Sequence, residues 1–457
     1  MTNMPTDQKA ALLVVSLSSF IMPLMLSSVN VALPTIAASL HAEALLLSWI
    51  STAYLLSSAI FLLPFGKLAD NVGRKKIYLS GMIIVTLASL FAATSQTIYQ
   101  LIGWRVLQGF GAAMLFATGV AILTSIFPPE KRGGAIGVTV SAVYFGLACG
   151  PLFGGWMTQH FSWRSVFVVH LPVALFCIFV AWSKLEGDSR GRGDEKFDFI
   201  GTLLYAVTIC SLMIGLSLLP SLLSLIVLSL CAISLYAFIQ IERKIDHPIF
   251  AIGMFQNNRV LTFSCLSSLI LYSSTFALTF LMSLYLQNIR GISPQSAGLI
   301  LILQPLVMAL FSPYMGKLSD RYEPRYLASM GMCLISLGFG LLTALQQSTS
   351  LTYILCSLFL IGLGFALFSS PNVNAIMGSV DKKYLGVASG TLGTTRVLGQ
   401  MFSMAIVTLA FALLMGNSPL IPENYPALLQ SIRASLFTAC ALTAFGVYLS
   451  MARGNVR

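Results

Sequence analysis

Long apolar runs fill most of this sequence and restrict its possible folds more than any other feature. We count fourteen of them, each near the length of about 20 residues that an α-helix needs to cross a bilayer. A membrane β-strand needs only about 10 residues of alternating polarity, so these runs predict helices. The predicted spans cover residues 10–34, 45–65, 77–95, 98–124, 133–157, 163–183, 199–219, 221–241, 260–287, 294–315, 326–346, 351–376, 386–414 and 430–451. The sequence therefore predicts an all-α integral membrane protein with fourteen transmembrane helices.

The low charge content supports a membrane protein and excludes several other classes. Charged residues make up 9% of the chain, whereas soluble proteins carry roughly 25%. A chain of 457 residues with so few charges cannot cover a water-soluble surface, which excludes a soluble enzyme, a disordered chain and a nucleic-acid-binding protein. The eight cysteines lie in apolar runs without Cys-x-x-Cys spacing, and the four histidines lack metal-ligand spacing. We therefore expect no metal and no cofactor.

The distribution of basic residues predicts the orientation of the spans. Of the 26 lysines and arginines, 21 fall on one side of the predicted bilayer and three on the other. Because basic residues are enriched in cytoplasmic loops, we expect both termini in the cytoplasm and a location in the inner (plasma) membrane. The remaining two, Arg105 and Arg396, lie inside predicted spans.

A repeated loop indicates an internal duplication. The stretch GKLADNVGR (66–74) follows the second span, and GKLSDR (316–321) follows the tenth. Six helices in each half leave two extra helices between the halves. The predicted organisation is an N-terminal six-helix half at 1–184, a cytoplasmic linker at 185–198, two extra helices at 199–241 and a C-terminal six-helix half at 242–457.

This organisation resembles the major facilitator superfamily, and in particular its fourteen-span drug:proton antiporter branch. The first repeated loop fits the G-x-L-x-D-x-x-G-R-K pattern of that family, and the resemblance covers essentially the whole chain. In the family these loops lock the outward-facing state, which implies a gating role here. The residues concerned are Gly66, Asp70, Gly73 and Arg74 in the first loop, and Gly316, Asp320 and Arg321 in the second.

The fifth span carries the most specific pattern in the chain. Its glycines and one proline match the antiporter motif of the family at full spacing, and small residues let helix backbones pack closely. The resemblance implies that this segment seals the interface between the halves and prevents leakage. The motif residues are Gly137, Gly146, Gly150, Pro151, Gly154 and Gly155.

An arginine in the fourth span is the strongest candidate for a residue of the transport pathway. Arg105 lies in the pattern L-x-x-x-R-x-x-Q-G, and an arginine at a membrane helix centre costs about 2.5–3.5 kcal/mol on insertion scales. The family places this arginine near the proton route, whereas the alternative is a structural arginine bound to backbone carbonyls. Further candidates for proton coupling or the pathway are Asp70, Arg396 and His170. His170 is included because histidine titrates near physiological pH.

The first span departs from the family pattern at one position. Residues 30–34 fit the signature of the branch, but Met25 stands where the branch normally has an acidic residue. None of the 15 aspartates and glutamates lies deep in a predicted span. We therefore expect an electropositive pathway, which favours neutral or anionic cargo, or cations held only by aromatic and dipolar contacts.

Polar side chains on several spans are candidates for lining a central cavity. Substrates of this fold bind near the bilayer midplane between the two halves. The same side chains are also able to form hydrogen bonds between helices. The candidates are Asn30, Tyr54, Gln108, Tyr144, Tyr272, Gln304, Asn372, Asn374 and Gln400.

These patterns together predict a multidrug-type efflux transporter that exports small amphipathic compounds by proton antiport and alternating access. One alternative is an exporter or facilitator of a specific anionic or zwitterionic metabolite, siderophore-like or lipid-like. A membrane-embedded enzyme is a remote alternative, because HExxH and GxSxG motifs and paired acids within spans are absent. The expected partners are a small-molecule substrate, protons and the lipid bilayer, with no nucleic acid, and the expected state is a monomer.

Overall fold

The structure is a computed structural model that describes residues 5–185, 198–245, 258–319, 321–380, 385–416 and 418–454. All regular secondary structure in these residues is helical. The first nine helices are α1 (Thr6–Leu40), α2 (Ala44–Val72), α3 (Arg74–Ala93), α4 (Ile98–Ile126), α5 (Pro129–His160), α6 (Ser165–Val168), α7 (Leu171–Lys184), α8 (Phe199–Ser217) and α9 (Leu222–Glu242).

The C-terminal part of the chain continues with eight α-helices and two short segments of other helix types among the described residues. The α-helices are α10 (Arg259–Thr275), α11 (Leu278–Leu284), α12 (Pro294–Leu301), α13 (Leu303–Ser319), α14 (Pro324–Leu342), α15 (Leu351–Gly378), α16 (Leu385–Leu414) and α17 (Tyr425–Ala452). A π-helix covers Tyr285–Ile289, and a 3-10 helix covers Pro422–Asn424.

Fourteen segments in the described residues are long and apolar enough to cross a membrane, which confirms the predicted fold class and number of spans. Several spans are composites of shorter helices. The sixth joins α6 and α7 (Ser165–Lys184), and the ninth joins α10, α11 and the π-helix (Arg259–Ile289). Hydropathy therefore predicts the number of crossings, because each crossing requires one apolar stretch of fixed length.

Polar residues just before apolar runs explain where several helices begin. The side chains of Asp198 and Ser221 accept hydrogen bonds from the backbone N–H groups of Gly201 and Ser224, at the starts of α8 and α9. Each bond satisfies an N–H group that the first turn of a helix leaves without a partner. Four more helices, α4, α10, α12 and α15, are capped in the same way by Thr97, Asn258, Ser293 and Ser350.

The ninth span is interrupted where its sequence reads as one apolar run. Helix α10 ends at Thr275, and the backbone N–H of Ala277 donates to Ser403 Oγ on α16 at 3.0 Å. Membrane helices tolerate such breaks when a neighbouring helix satisfies the freed backbone groups. This break depends on a contact with a distant part of the sequence, so hydropathy alone does not reveal it.

The chain forms two compact units. The first consists of Met1–Leu26, Trp49–Leu147 and Phe161–Ile252, and the second of Ser27–Ser48, Ala148–His160 and Gly253–Arg457. In the first unit α3 packs along α4, and α8 packs along α9. In the second unit α14 packs along both α15 and α17. The predicted division into two six-helix halves stays a prediction, and residues 186–197 of the predicted linker lie outside the described residues.

Candidate functional site

Close packing of α4 on α2 buries two polar side chains of α4 in the first unit. Arg105 and Gln108 lie three residues apart, so they share one face of the helix. Ser58 Oγ on α2 donates to the Gly109 carbonyl oxygen at 3.1 Å, and a Cβ on Gly109 would collide with the Tyr54 carbonyl oxygen. The absence of a side chain at position 109 thus lets the helices approach, and both Arg105 and Gln108 are 0% exposed.

Neutral groups hold the Arg105 guanidinium in place. Its Nε donates to the Ile50 carbonyl oxygen at 3.0 Å, and its Nη1 donates to Gln108 Oε1 at 2.9 Å. The Arg105 Cζ lies 4.4 Å from the centre of the Tyr54 ring, and a cation–π contact in a desolvated site contributes about 2 kcal/mol. These contacts orient the guanidinium and offset part of the cost of burying its charge.

Gln108 extends this arrangement to α3, to α1 and to the turn between α6 and α7. Its Nε2 donates to Ser89 Oγ on α3 at 2.7 Å, and His170 Nε2 lies 3.0 Å from the same oxygen. Met25 Sδ on α1 lies 3.6 Å from Gln108 Nε2 and 3.9 Å from Ser89 Oγ. His170 is buried in the turn between α6 and α7. We call this set the Arg105 cluster, and its members are Met25, Tyr54, Ser89, Arg105, Gln108 and His170.

Within the described residues, the Arg105 cluster contains a cationic side chain and no carboxylate partner for it. Arg105 Nη2 is buried and has no hydrogen-bond partner there. Met25, at the position where the resembling branch has an acid, lies inside the cluster itself. A buried guanidinium whose N–H groups are not all used is able to bind a further acceptor or anion, and it repels cations.

The glycines of the antiporter motif differ in their surroundings. No atom lies within 4 Å of the position that a Cβ on Gly137 would take, whereas a Cβ on Gly146 would collide with the backbone of α1. Ser28 Oγ on α1 donates to the Gly150 carbonyl oxygen at 2.8 Å, and a Cβ on Gly154 would lie 2.6 Å from Ser28 Cα. Gly146, Gly150 and Gly154 of the motif therefore pack closely on α1.

The end of the antiporter motif packs reciprocally against α12 within the second unit. A Cβ on Gly155 would collide with the Pro294 carbonyl oxygen, and a Cβ on Gly298 would collide with the Pro151 carbonyl oxygen. Each helix thus places a glycine against the backbone of the other. Such contacts exclude any larger side chain at either position, and the sealing role of this segment stays a prediction.

A side chain at Gly155 is expected to open this contact. We expect Gly155→Val to make vesicles leak protons and to lower the thermal midpoint, because overpacking a close contact costs about 1–3 kcal/mol. The measurement is the decay rate of an imposed pH gradient in membrane vesicles without substrate. Gly137→Val is the matched control, since position 137 has open space around it. Equal decay rates for the two variants would contradict a sealing role for Gly155.

A second buried arginine lies at the end of α17, where the sequence indicated only a basic flank. Arg453 is 0% exposed; its Nη1 donates to Asn372 Oδ1 and its Nη2 to the Pro324 carbonyl oxygen, both at 2.8 Å. Asn372 Nδ2 in turn donates to Ser268 Oγ at 2.8 Å. Burial lowers the pKa of Arg453 to about 10, while the nearby Glu323 carboxylate raises it, so the group stays charged at neutral pH. The predicted cavity residue Asn372 therefore lies in a buried network between helices.

The other cavity candidates are spread over both units. Asn374 is exposed and donates from Nδ2 to Ser319 Oγ at 2.6 Å, whereas Asn30 is buried. The Arg396 guanidinium lies 5.3 Å from the centre of the Tyr272 ring. Three candidates occupy half-buried positions on α5, α13 and α16, namely Tyr144, Gln304 and Gln400. Their roles in binding stay predictions.

In the first repeated loop, one glycine separates the end of α2 from the start of α3. Helix α2 continues through Gly66 to Val72, and Gly73 then adopts a φ of 123°, a left-handed conformation that favours glycine. Arg74 Nη1 donates to the Ala121 carbonyl oxygen on α4 at 3.1 Å, which ties the start of α3 to α4. The side chain of Asp70 lies outside the described residues, so its predicted gating and coupling roles stay predictions.

The second repeated loop follows α13. Gly316 lies in the last turns of this helix, where a Cβ would make only ordinary contacts with Ser370, and Arg321 is exposed. Asp320 lies outside the described residues. The gating role of this loop therefore stays a prediction.

Comparison with known proteins assigns the fold to a family. The sequence matches the profile of the Major Facilitator Superfamily over residues 15–404, with a second match over residues 264–450. The chain belongs to the major facilitator superfamily. This membership and the fourteen candidate spans together confirm the resemblance to the fourteen-span branch.

Curated relatives of this superfamily member are transporters that are named for different substrates. The riboflavin transporter RibZ of Clostridioides difficile (strain 630) is 28% identical over 441 residues, which cover 96% of both chains. The multidrug transporter protein MdtP of Bacillus subtilis (strain 168) is 30% identical over 421 residues, which cover 89% of this chain and 77% of MdtP. The tetracenomycin C resistance and export protein of Streptomyces glaucescens is 27% identical, covering 89% and 76% of the two chains.

Solved structures of the superfamily share the fold of this chain. A bacterial homolog of the human lysosomal transporter Spinster, in an inward-facing and occupied conformation, aligns with a TM-score of 0.67 at 15% identity and covers 99% of this chain and 97% of its own. The peptide transporter POT aligns with a TM-score of 0.68 at 13% identity, covering 98% and 99%. At these identities the likeness concerns the fold alone. The protein is thus a multi-pass membrane transporter of the superfamily.

Proposed function

We propose that this transporter exports small amphipathic compounds of the multidrug type, neutral or anionic rather than cationic, by proton antiport with alternating access. The observation that carries this proposal is the Arg105 cluster, in which a buried guanidinium has no carboxylate partner among the described residues. Export of drug-like compounds is supported by relatives whose names describe multidrug transport and resistance.

The charge preference of the proposal follows from electrostatics. A cation that enters a buried site needs a compensating negative charge, because losing its hydration is costly. The Arg105 cluster instead carries a positive charge, which repels a cation. A neutral or anionic compound is able to accept a hydrogen bond from the Arg105 Nη2 group, which the protein leaves unused.

Proton coupling in this proposal uses the titratable groups that the chain offers near the pathway. Within the cluster the candidate is His170, hydrogen bonded to Ser89 at 3.0 Å, and a further candidate is Asp70 near the end of α2. We also propose an inner-membrane location with both termini cytoplasmic, from the charge asymmetry of the loops, and a monomeric state.

Transport in inside-out vesicles tests the proposal. Vesicles that contain the protein hold an acid-inside pH gradient, and cationic, neutral or anionic amphipathic compounds are then added while the gradient is monitored. We expect neutral or anionic compounds to collapse part of the gradient and permanent cations to leave it unchanged. Vesicles without the protein control for compounds that carry protons by themselves. A response to cations alone would contradict the proposed charge preference.

A specific metabolite is the second candidate cargo. The unused Arg105 Nη2 group favours an anionic or zwitterionic compound, such as a siderophore-like or lipid-like metabolite, and one relative is named for riboflavin. The same vesicle assay separates the two candidates. A response to many unrelated amphipathic compounds supports multidrug export, whereas a response to a single chemical class supports a specific exporter or facilitator.

A further inference from the structure

Arginines from three helix ends meet at one edge of the second unit. Arg259, at the start of α10, donates from Nε to the Ala452 carbonyl oxygen at the end of α17 (2.9 Å). The next residue, Arg453, donates to the Pro324 carbonyl oxygen at the start of α14 (2.8 Å), and Arg325 follows directly. These bonds hold Arg259, Arg325 and Arg453 at neighbouring positions, and we call the three residues the arginine edge.

The arginine edge carries an excess of positive charge at the protein surface. Arg453 is fully buried, whereas Arg325 is half-buried and Arg259 is exposed, so two of the three side chains are accessible at the surface. Of the described carboxylates, Glu323 lies close enough to influence Arg453, and Arg325 acts on Arg453 in the opposite direction. Among the residues that the structure describes, one carboxylate against three arginines leaves a site that attracts anions.

Aromatic side chains place the arginine edge at the depth of lipid headgroups. Tyr322 and Tyr326 beside it are 60% and 47% exposed, and exposed tyrosines at the ends of spans are typical of the membrane–water interface. Arg325 Nη2 donates to the Tyr326 hydroxyl at 2.7 Å, and its Cζ lies 4.6 Å from the centre of that ring. Arg259 lies over the Phe263 ring at 5.5 Å. Both surface arginines are thus oriented by neighbouring rings.

An apolar stripe on α14 continues from the arginine edge along the span. Met330 and Leu337 are 57% and 54% exposed, and their spacing from Tyr326 places all three side chains on one face of the helix. A lipid is the ligand that matches a cationic group at the end of a span and an apolar surface along it.

We propose that the arginine edge binds the phosphate group of an anionic phospholipid whose acyl chain lies along the stripe on α14. Guanidinium groups bind phosphate oxygens with two parallel hydrogen bonds, which favours arginine over a simple point charge. The site is separate from the Arg105 cluster and does not depend on the cargo. Bound lipid would join the ends of α10, α14 and α17.

Thermal unfolding of the full chain in lipid nanodiscs tests this site. The purified protein is placed in phosphatidylcholine alone or in phosphatidylcholine with phosphatidylglycerol, and the shift of the unfolding midpoint and the amount of retained phosphatidylglycerol are measured. We expect phosphatidylglycerol to raise the midpoint. Arg259→Gln with Arg325→Gln is expected to weaken the retention of phosphatidylglycerol by about 30-fold. Each arginine near an anionic lipid surface changes the affinity by about fivefold, and the two effects multiply.

A charge-matched control separates a specific site from general attraction. Arg243→Gln with Lys244→Gln removes two exposed positive charges after α9 and is expected to leave the lipid effect unchanged. Because each variant is compared with itself in phosphatidylcholine, a change in its basal stability does not affect the result. An equal lipid effect in both double variants would overturn the proposal. Inorganic phosphate in phosphatidylcholine nanodiscs is expected to have no effect, and stabilisation equal to that by phosphatidylglycerol would overturn the lipid assignment.

Discussion

Replacing Arg105 with glutamine is expected to reduce transport by about 100-fold or more while the protein remains folded. The substitution removes the positive charge of the Arg105 cluster and the Nη2 group that we assign to binding the cargo. Hydrogen bonds of charged groups contribute about 1.5–3 kcal/mol each, and each 1.36 kcal/mol changes a rate tenfold. The measurement is the rate of substrate-induced collapse of the pH gradient in vesicles, normalised to the amount of protein.

The thermal midpoint of the same variant distinguishes a transport role from a structural one. Removing one member of a buried ion pair usually destabilises a protein strongly, because the partner charge is left uncompensated. Arg105 has no carboxylate partner within the described residues, so its removal leaves only neutral groups behind. We therefore expect a small change in the midpoint together with the large loss of transport. A large loss of stability would support the structural alternative instead.

Arg164→Gln is the matched control for this experiment. Arg164 also donates to a backbone carbonyl, that of Ser95, at 2.9 Å, and also lies over an aromatic ring, that of Trp163, at 4.3 Å. It differs from Arg105 in lying outside the cluster and in being only partly buried. We expect near-normal transport in this control, and a loss equal to that of Arg105→Gln would show that the assay reports general damage.

The properties that the sequence predicts correctly are those that depend on local composition. The number of spans follows from apolar length alone, and the burial of Arg105 follows from the cost of a charge in lipid. The placement of Met25 beside Gln108 was not predictable in the same way. The family pattern marks position 25, but only the packing of α1 against α4 brings its sulfur to 3.6 Å from the amide.

Features that depend on distant contacts escape a sequence interpretation. Arg453 follows a long apolar helix, which is the ordinary appearance of a basic flank, yet its contacts with Asn372 and Pro324 bury it completely. The sequence also does not predict the break before Ala277, because this break depends on a hydrogen bond to Ser403 on another helix. Both the burial of Arg453 and the break before Ala277 depend on side-chain contacts between helices, and a hydropathy pattern carries no information about such contacts.

Introducing a carboxylate at Met25 is expected to extend transport to permanent cations. Aspartate oxygens lie the same number of bonds from the backbone as the methionine sulfur, which is 3.6 Å from Gln108 Nε2 and 3.9 Å from Ser89 Oγ. Met25→Asp therefore places a negative charge beside two hydrogen-bond donors, Gln108 Nε2 and Ser89 Oγ. Gln108 also accepts a hydrogen bond from Arg105, so the new charge lies close to the guanidinium. We expect the ratio of cation transport to neutral-compound transport to rise by about 10- to 100-fold, a difference of about 1.4–2.8 kcal/mol.

Met25→Asn isolates the effect of charge in this experiment, because asparagine has nearly the shape of aspartate without its negative charge. If the charge of the Arg105 cluster sets cargo selectivity, the aspartate variant gains cation transport and the asparagine variant does not. A gain in neither variant would mean that selectivity is determined elsewhere in the pathway. A gain in both would attribute the change to lost packing of the thioether, since either substitution removes the Met25 sulfur from beside Gln108 and Ser89.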